Sequence, residues 1–131
     1  MTPLFHAFVP GRPIVKKNTQ RVIGFGKAKR VVYSSRYRSW MRVAGAAISE
    51  AVKAQALRGV LDQPMRLKIE FRLRDRQAEP DLSNLIEGPQ DMLKSCGVIR
   101  DDKLIVEIEA RKTFGHSDEE LVGTTIFLYS V

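Results

Sequence analysis

Three features of the chain predict an α+β fold with two main helices and a single mixed or mainly antiparallel sheet. Residues Met65 to Leu73 alternate strictly between apolar and polar side chains. Residues Trp40 to Ala51 repeat apolar side chains at spacings of three and four. Short apolar runs bounded by turn residues lie at both ends of the chain. Period two marks a half-buried strand, and spacings of three and four mark an amphipathic helix. A length of 131 residues fits one domain over 1–131. A domain of that size has a limited core, so self-association is expected.

The elements follow in order. Leu4 to Val9 is an apolar run closed by Pro10-Gly11, a first strand ending in a turn. Arg12 to Asn18 is basic and interrupted by Pro13, hence a loop. Arg21 to Ile23 and Arg30 to Tyr33 flank a glycine- and lysine-rich tip, which predicts a hairpin. Ser34 or Ser35 caps the first helix, whose apolar face is Trp40, Val43, Ala44, Ala47, Ile48 and Ala51 and which Gly59 ends. The central strand follows, its open face carrying Arg66, Lys68, Glu70, Arg72 and Arg74, either solvated or facing DNA. A second helix runs from about Ser83 to Lys94. Gly88-Pro89 predicts a bend or a late start there, because proline inside a helix costs about 3 kcal/mol. Gly97 closes that helix. Leu104 to Ala110, with Glu107 and Glu109 outward, and Thr124 to Val131 are the last strands.

Charge is divided unevenly. Residues 1–60 hold 12 Lys and Arg against one acid, Glu50, whereas residues 61–131 hold 10 against 14. A basic half beside an acidic half suits a protein that grips a polyanion and gathers carboxylates elsewhere. The single Cys96 excludes an internal disulfide and a cysteine-rich zinc site, and its apolar neighbours make it a small buried hydrophobe. His6 and His116 are too few and too far apart for a zinc site, and Trp40 reads as core. Phe25 and Tyr37 have the shape to stack on unpaired bases, although packing is their simpler role. No apolar run approaches the roughly 20 residues of a membrane span, and no signal-peptide pattern opens the chain. A soluble cytoplasmic protein is expected.

Side-chain oxygens concentrate at Glu79-Pro80-Asp81-Leu82-Ser83-Asn84 and at Arg100-Asp101-Asp102-Lys103. Carboxylates brought together from two loops can hold magnesium, which wants oxygen ligands and keeps several waters. On the residues alone, though, Asp81 is a helix cap and Asp101-Asp102 a turn. Composition does not by itself reach an enzyme.

The ordered set of motifs reaches further. Pro80-Asp81-Leu82-Ser83-Asn84-Leu85, then Asp91-Met92-Leu93, then Gly97-Val98-Ile99-Arg100-Asp101-Asp102-Lys103 resembles the core signature of the RusA-like endodeoxyribonucleases. Pro10-Gly11-Arg12-Pro13 with Lys16, Lys17 and Asn18 is similar to that family's basic first loop. Tyr33-Ser34-Ser35-x-Tyr37 is similar to the start of its first helix. The resemblance spans roughly residues 4 to 112. It implies a magnesium-dependent homodimer that cuts four-way (Holliday) DNA junctions, in a phage or prophage setting. Asp81 and Asp102 fall on catalytic, metal-binding aspartates, and Asp101, the adjacent acid, is expected as a further metal ligand. Arg12, Lys16, Lys17, Arg21, Lys27, Lys29, Arg30 and Arg36 are the expected DNA-binding residues.

Two positions depart from the family pattern. Ser83 stands where a second aspartate is usual, and Glu87 where the best-known members carry a catalytic lysine. Glu87, one helical turn beyond Ser83, is positioned to restore the carboxylate, and Lys16, Lys17 or Lys103 to replace the lysine. The rival readings are a module that binds branched DNA without cutting it, and a nuclease acting on flaps or RNA.

Overall fold

The computed structural model describes residues 1–131 except 17–19, 29 and 76–79; side chains at 20–23, 28, 30 and 31 are likewise outside the description. Lys17 and Lys29 therefore lie outside the described residues, as do the side chains of Arg21 and Arg30.

Four strands form a mixed sheet in the order β1-β6-β4-β5: β1 is Phe5–Pro10, β4 Met65–Arg72, β5 Ile105–Thr113 and β6 Gly123–Ser130. Strands β2 (Gln20–Ile23) and β3 (Arg30–Tyr33) form the separate hairpin that the glycine-rich tip predicted. The α+β expectation holds. β6 pairs antiparallel with both β1 and β4, while β5 lies parallel to β4. A parallel neighbour needs a long crossover, and helix α2 (Leu82–Ser95) supplies it.

The strict alternation of β4 places Met65, Leu67, Ile69 and Phe71 in the core, all at most 1% exposed. In register with them stand Leu128 and Ile126 of β6, and beyond those Phe5 and Ala7 of β1. Helix α1 (Ser35–Ala54) covers this face with Tyr37, Trp40, Ala44 and Ile48, and α2 adds Leu85 and Leu93. The opposite face is a grid of charges and rings. Lys68 and Arg66 reach Glu109 at 3.9 and 3.4 Å, Arg72 and Arg111 reach Glu70 at 2.6 and 2.8 Å, and Arg66 sits 4.7 Å over Tyr129. Acids of β4 and β5 thus engage most of the cations that made this face a candidate DNA surface.

Three local expectations are corrected. Helix α1 ends at Ala54 rather than near Gly59, because Gln55 caps it and Ala56 turns into the left-handed region at φ 51°. Val43 is 42% exposed, at the edge of the helix's apolar stripe. Helix α2 begins at Leu82 and runs through Pro89 without interruption. Pro89 is buried there, and Gly88 lets the helix approach the rings of α1: a Cβ on Gly88 would lie 3.1 Å from both Trp40 Cζ3 and the Tyr37 hydroxyl. Ser34 is the cap of α1, its Oγ accepting from Tyr37 N at 3.2 Å.

This close approach generates a test. Alanine is favoured over glycine in a helix by about 0.8–1 kcal/mol, but crowding a packed core costs about 1–3 kcal/mol. Gly88→Ala should therefore lower the thermal midpoint, by an amount worth about 1 kcal/mol. A raised midpoint would show that the α1–α2 contact yields.

Candidate active site

Helix α2 and the segment after it build the site. Ser83, Glu87 and Asp91 are spaced by four, so they share one face of α2. Asp81 stands at the N-cap position with extended backbone, yet its carboxylate makes no cap hydrogen bond. Its partner is Asn84, whose Nδ2 donates to Oδ2 at 3.5 Å. The capping role that the sequence alone assigned to Asp81 is not made. The positive end of the helix dipole still favours its charge.

The second acidic segment is fixed by backbone pairing. Gly97, at φ 75°, reverses the chain after α2, and Val98 and Ile99 are buried. Leu61 N donates to Val98 O at 2.8 Å and Arg100 N to Leu61 O at 3.0 Å, while Arg100 pairs with Asp62 at 2.9 Å. That clamp delivers Asp101 and Asp102 directly to the C-terminal part of α2. Asp101 then takes the turn role: Oδ1 accepts from Lys103 N at 3.1 Å, and this bond holds its carboxyl below the usual range. Lys94 lies 4.0 Å from its other oxygen.

Asp102 is different. Its Oδ1 is buried with no hydrogen-bond partner. Burial, and next the negative charge of Asp91, push its carboxyl above the ordinary range, with Lys94 and Lys16 opposing. Asp91 in turn pairs with Lys16, whose Nζ donates to Oδ2. That bond raises the Lys16 ammonium. The same Nζ stands 5.8 Å from the centre of the Tyr33 ring, which is tilted against Tyr37 at 5.2 Å. Buried Tyr37 is pushed up to about 12 by desolvation and then by Asp91. Being 1% exposed, Tyr37 is core and cannot stack on bases, whereas Phe25 is 91% exposed.

The structure therefore joins Asp102, Asp91 and Lys16. Exposed Glu87 is one turn from Asp91, and its charge reaches Tyr37. Asp81 lies at the other end of α2, about 15 Å along the axis from Asp91 at 1.5 Å per residue. Its chain neighbour Pro80 lines a different cavity of about 400 Å³, with Arg12, Leu73, Arg74, Glu119 and Val122 among others. Among the described residues, no three or more His, Cys, Asp or Glu side chains are grouped to hold a metal ion. Two carboxylates suffice for magnesium when waters and substrate phosphates complete the shell. The orphaned oxygen of Asp102 beside Asp91 fits that role.

Asp91 was not among the residues singled out from sequence as ligands. Its signal was the spacing of four from Glu87, itself four from Ser83, together with its place in the Asp91-Met92-Leu93 motif. Of the expected DNA contacts, Arg12, Lys27 and Arg36 are exposed, and Lys16 is half-buried. Arg38 and Arg42 of α1, both exposed, flank a shallow cavity with Ser35 and Met41 and extend the basic surface. Cys96 is partly buried, and desolvation raises its thiol, consistent with a packing role. No described helix is long and apolar enough to cross a membrane.

A mixed sheet covered on one face by two helices defines the class: a small α+β domain. The family model for endodeoxyribonuclease RusA matches residues 10–126, and the chain belongs to that family. No curated protein matches it significantly.

The raised carboxyl of Asp102 has a consequence for stability. A folded-state value above the unfolded one stabilises only where the group is protonated, so that contribution is lost as pH rises through the folded value. At neutral pH the ionised Asp102 therefore costs stability, and Asp102→Asn should melt higher than the parent in metal-free buffer. The gap should close in acid, where both side chains are neutral. A lower melting point for the variant at neutral pH would contradict the assignment.

Proposed function

We propose that this chain is a magnesium-dependent endonuclease that resolves four-way DNA junctions as a homodimer. Membership of the RusA endodeoxyribonuclease family supports nuclease chemistry on junction DNA. The observation that carries the metal reading is the buried, unpartnered Oδ1 of Asp102 next to Asp91.

In this reading Asp102 and Asp91 bind the ion through carboxylate oxygens. A bound magnesium ion supplies an activated water and offsets charge developing on the phosphate. Asp101 keeps the turn in shape. Asp81, exposed at the positive end of α2, is the family-matched aspartate, and its catalytic role rests on that resemblance. Glu87 adds negative charge between the two ends of the helix. Exposed Arg12, Lys27, Arg36, Arg38 and Arg42 hold phosphates along the junction arms. A two-fold dimer places two such sites on opposing strands of a junction that is itself nearly two-fold symmetric.

A second reading has its own support. Ser83 and Glu87 stand where the family carries an aspartate and a lysine, and the described residues assemble no cluster of three acids. On that reading the chain binds branched DNA and does not cut it.

Cleavage of a synthetic four-way junction across a magnesium titration decides between them. Asp81→Asn and Asp102→Asn should each abolish cutting and leave junction binding intact or slightly tighter, since a negative charge is removed. Asp91→Asn should cut only at raised magnesium. Glu87→Gln should also need more magnesium if its carboxylate serves the ion. No cutting by the parent protein at any magnesium concentration would favour the binding module, and full activity in Asp102→Asn would remove the metal assignment.

A further inference from the structure

The cation that already sits at the acid pair belongs to the chain. Lys16 Nζ donates to Asp91 Oδ2, and Asp102 experiences the positive charge of Lys16 as well as the negative charge of Asp91. The Lys16 side chain is 24% exposed and that of Asp91 37%, so the pair is partly desolvated but still reachable from solvent. Its stem is anchored from behind: Pro13 is buried, and Ile14 and Val15 pack against the core.

We propose that Lys16 is a built-in counter-ion, whose ammonium occupies the acid pair in the metal-free protein, is displaced by an incoming divalent cation, and then binds a DNA phosphate. This rests on the reading that Asp91 and Asp102 hold the ion. The physical reason is a contest of charges at one place. Two close carboxylates in a partly buried site need a cation, and a lysine ammonium on a flexible four-carbon stem is a monovalent one. Magnesium brings twice the charge and binds carboxylate oxygens directly. Once released, the ammonium stands within one side chain's length of the acid pair, where a phosphate ligating the ion would lie. Metal and DNA would then assist each other's binding, and by linkage the assistance is reciprocal.

The first test is calorimetric titration of the full chain with magnesium in the absence of DNA. Removing the competitor in Lys16→Met should tighten magnesium binding roughly three- to tenfold, the scale of a partly exposed ion pair. Lys16→Arg, which keeps the charge and controls for folding, should stay within about twofold of the parent. Equal or weaker binding by Lys16→Met would overturn the proposal. If the parent itself binds no magnesium, the acid-pair reading fails first and the counter-ion proposal fails with it.

The second test reads the phosphate contact. With calcium present, the log–log salt dependence of junction binding should be steeper for the parent than for Lys16→Met by about 0.9, the value of one phosphate. Without divalent ions the two slopes should coincide. A slope difference of the same size in both conditions would mean that Lys16 contacts DNA independently of the metal, and would also overturn the proposal.

Discussion

Asp91 and Asp102 form a pair of carboxylates in which burial, and next the charge of Asp91, push the Asp102 carboxyl up, while Asp91 is held by Lys16. Such a pair keeps both charges only if a cation compensates them. The rest of the architecture can be traced to that constraint. The parallel crossover through α2 carries Asp91 along the helix. The Leu61–Ile99 bridge, with the Arg100 and Leu61 amides donating across it, pins Asp102 against the same helix end. The buried Pro13 brings Lys16 in from the first loop as the compensating charge.

The basic character of the chain is distributed accordingly. On the open face of the sheet, Arg66, Lys68, Arg72 and Arg111 are engaged by Glu70 and Glu109, each acid serving two cations. On α1 the arginines have no acid within their own helix turn, since the first turn contains none. Exposed Arg36, Arg38 and Arg42 of α1 therefore carry part of the surplus positive charge. A basic surplus suits a member of a family that acts on DNA, itself a polyanion.

Much of this was legible in the sequence. The period-two run from Met65 named the central strand and its buried face, and the glycine-rich tip between two apolar runs named the hairpin. The ordered motifs named the family from residues that are individually weak. What escaped depended on tertiary packing. Gly88-Pro89 read as an interruption because local propensity disfavours both residues, yet burial against Trp40 and Tyr37 keeps them inside α2. Gly59 read as a helix stop, but Ala56 adopted the left-handed turn first. Asp91 was overlooked because its significance lies in a contact with a residue 75 positions away, and no spacing rule reports that. Asp81 and Asp102, paired by resemblance, are associated here with opposite ends of α2.

The central claim is that the cation site lies between Asp91 and Asp102 rather than at Asp81. Crystals grown with manganese, measured at a wavelength where that metal scatters anomalously, test it most directly. The account predicts one anomalous peak per chain at bonding distance from Asp102 and Asp91, with the Lys16 ammonium turned away from Asp91. A peak at Asp81 with none at Asp102, or a peak at Asp102 with the Lys16–Asp91 contact still intact, would contradict it.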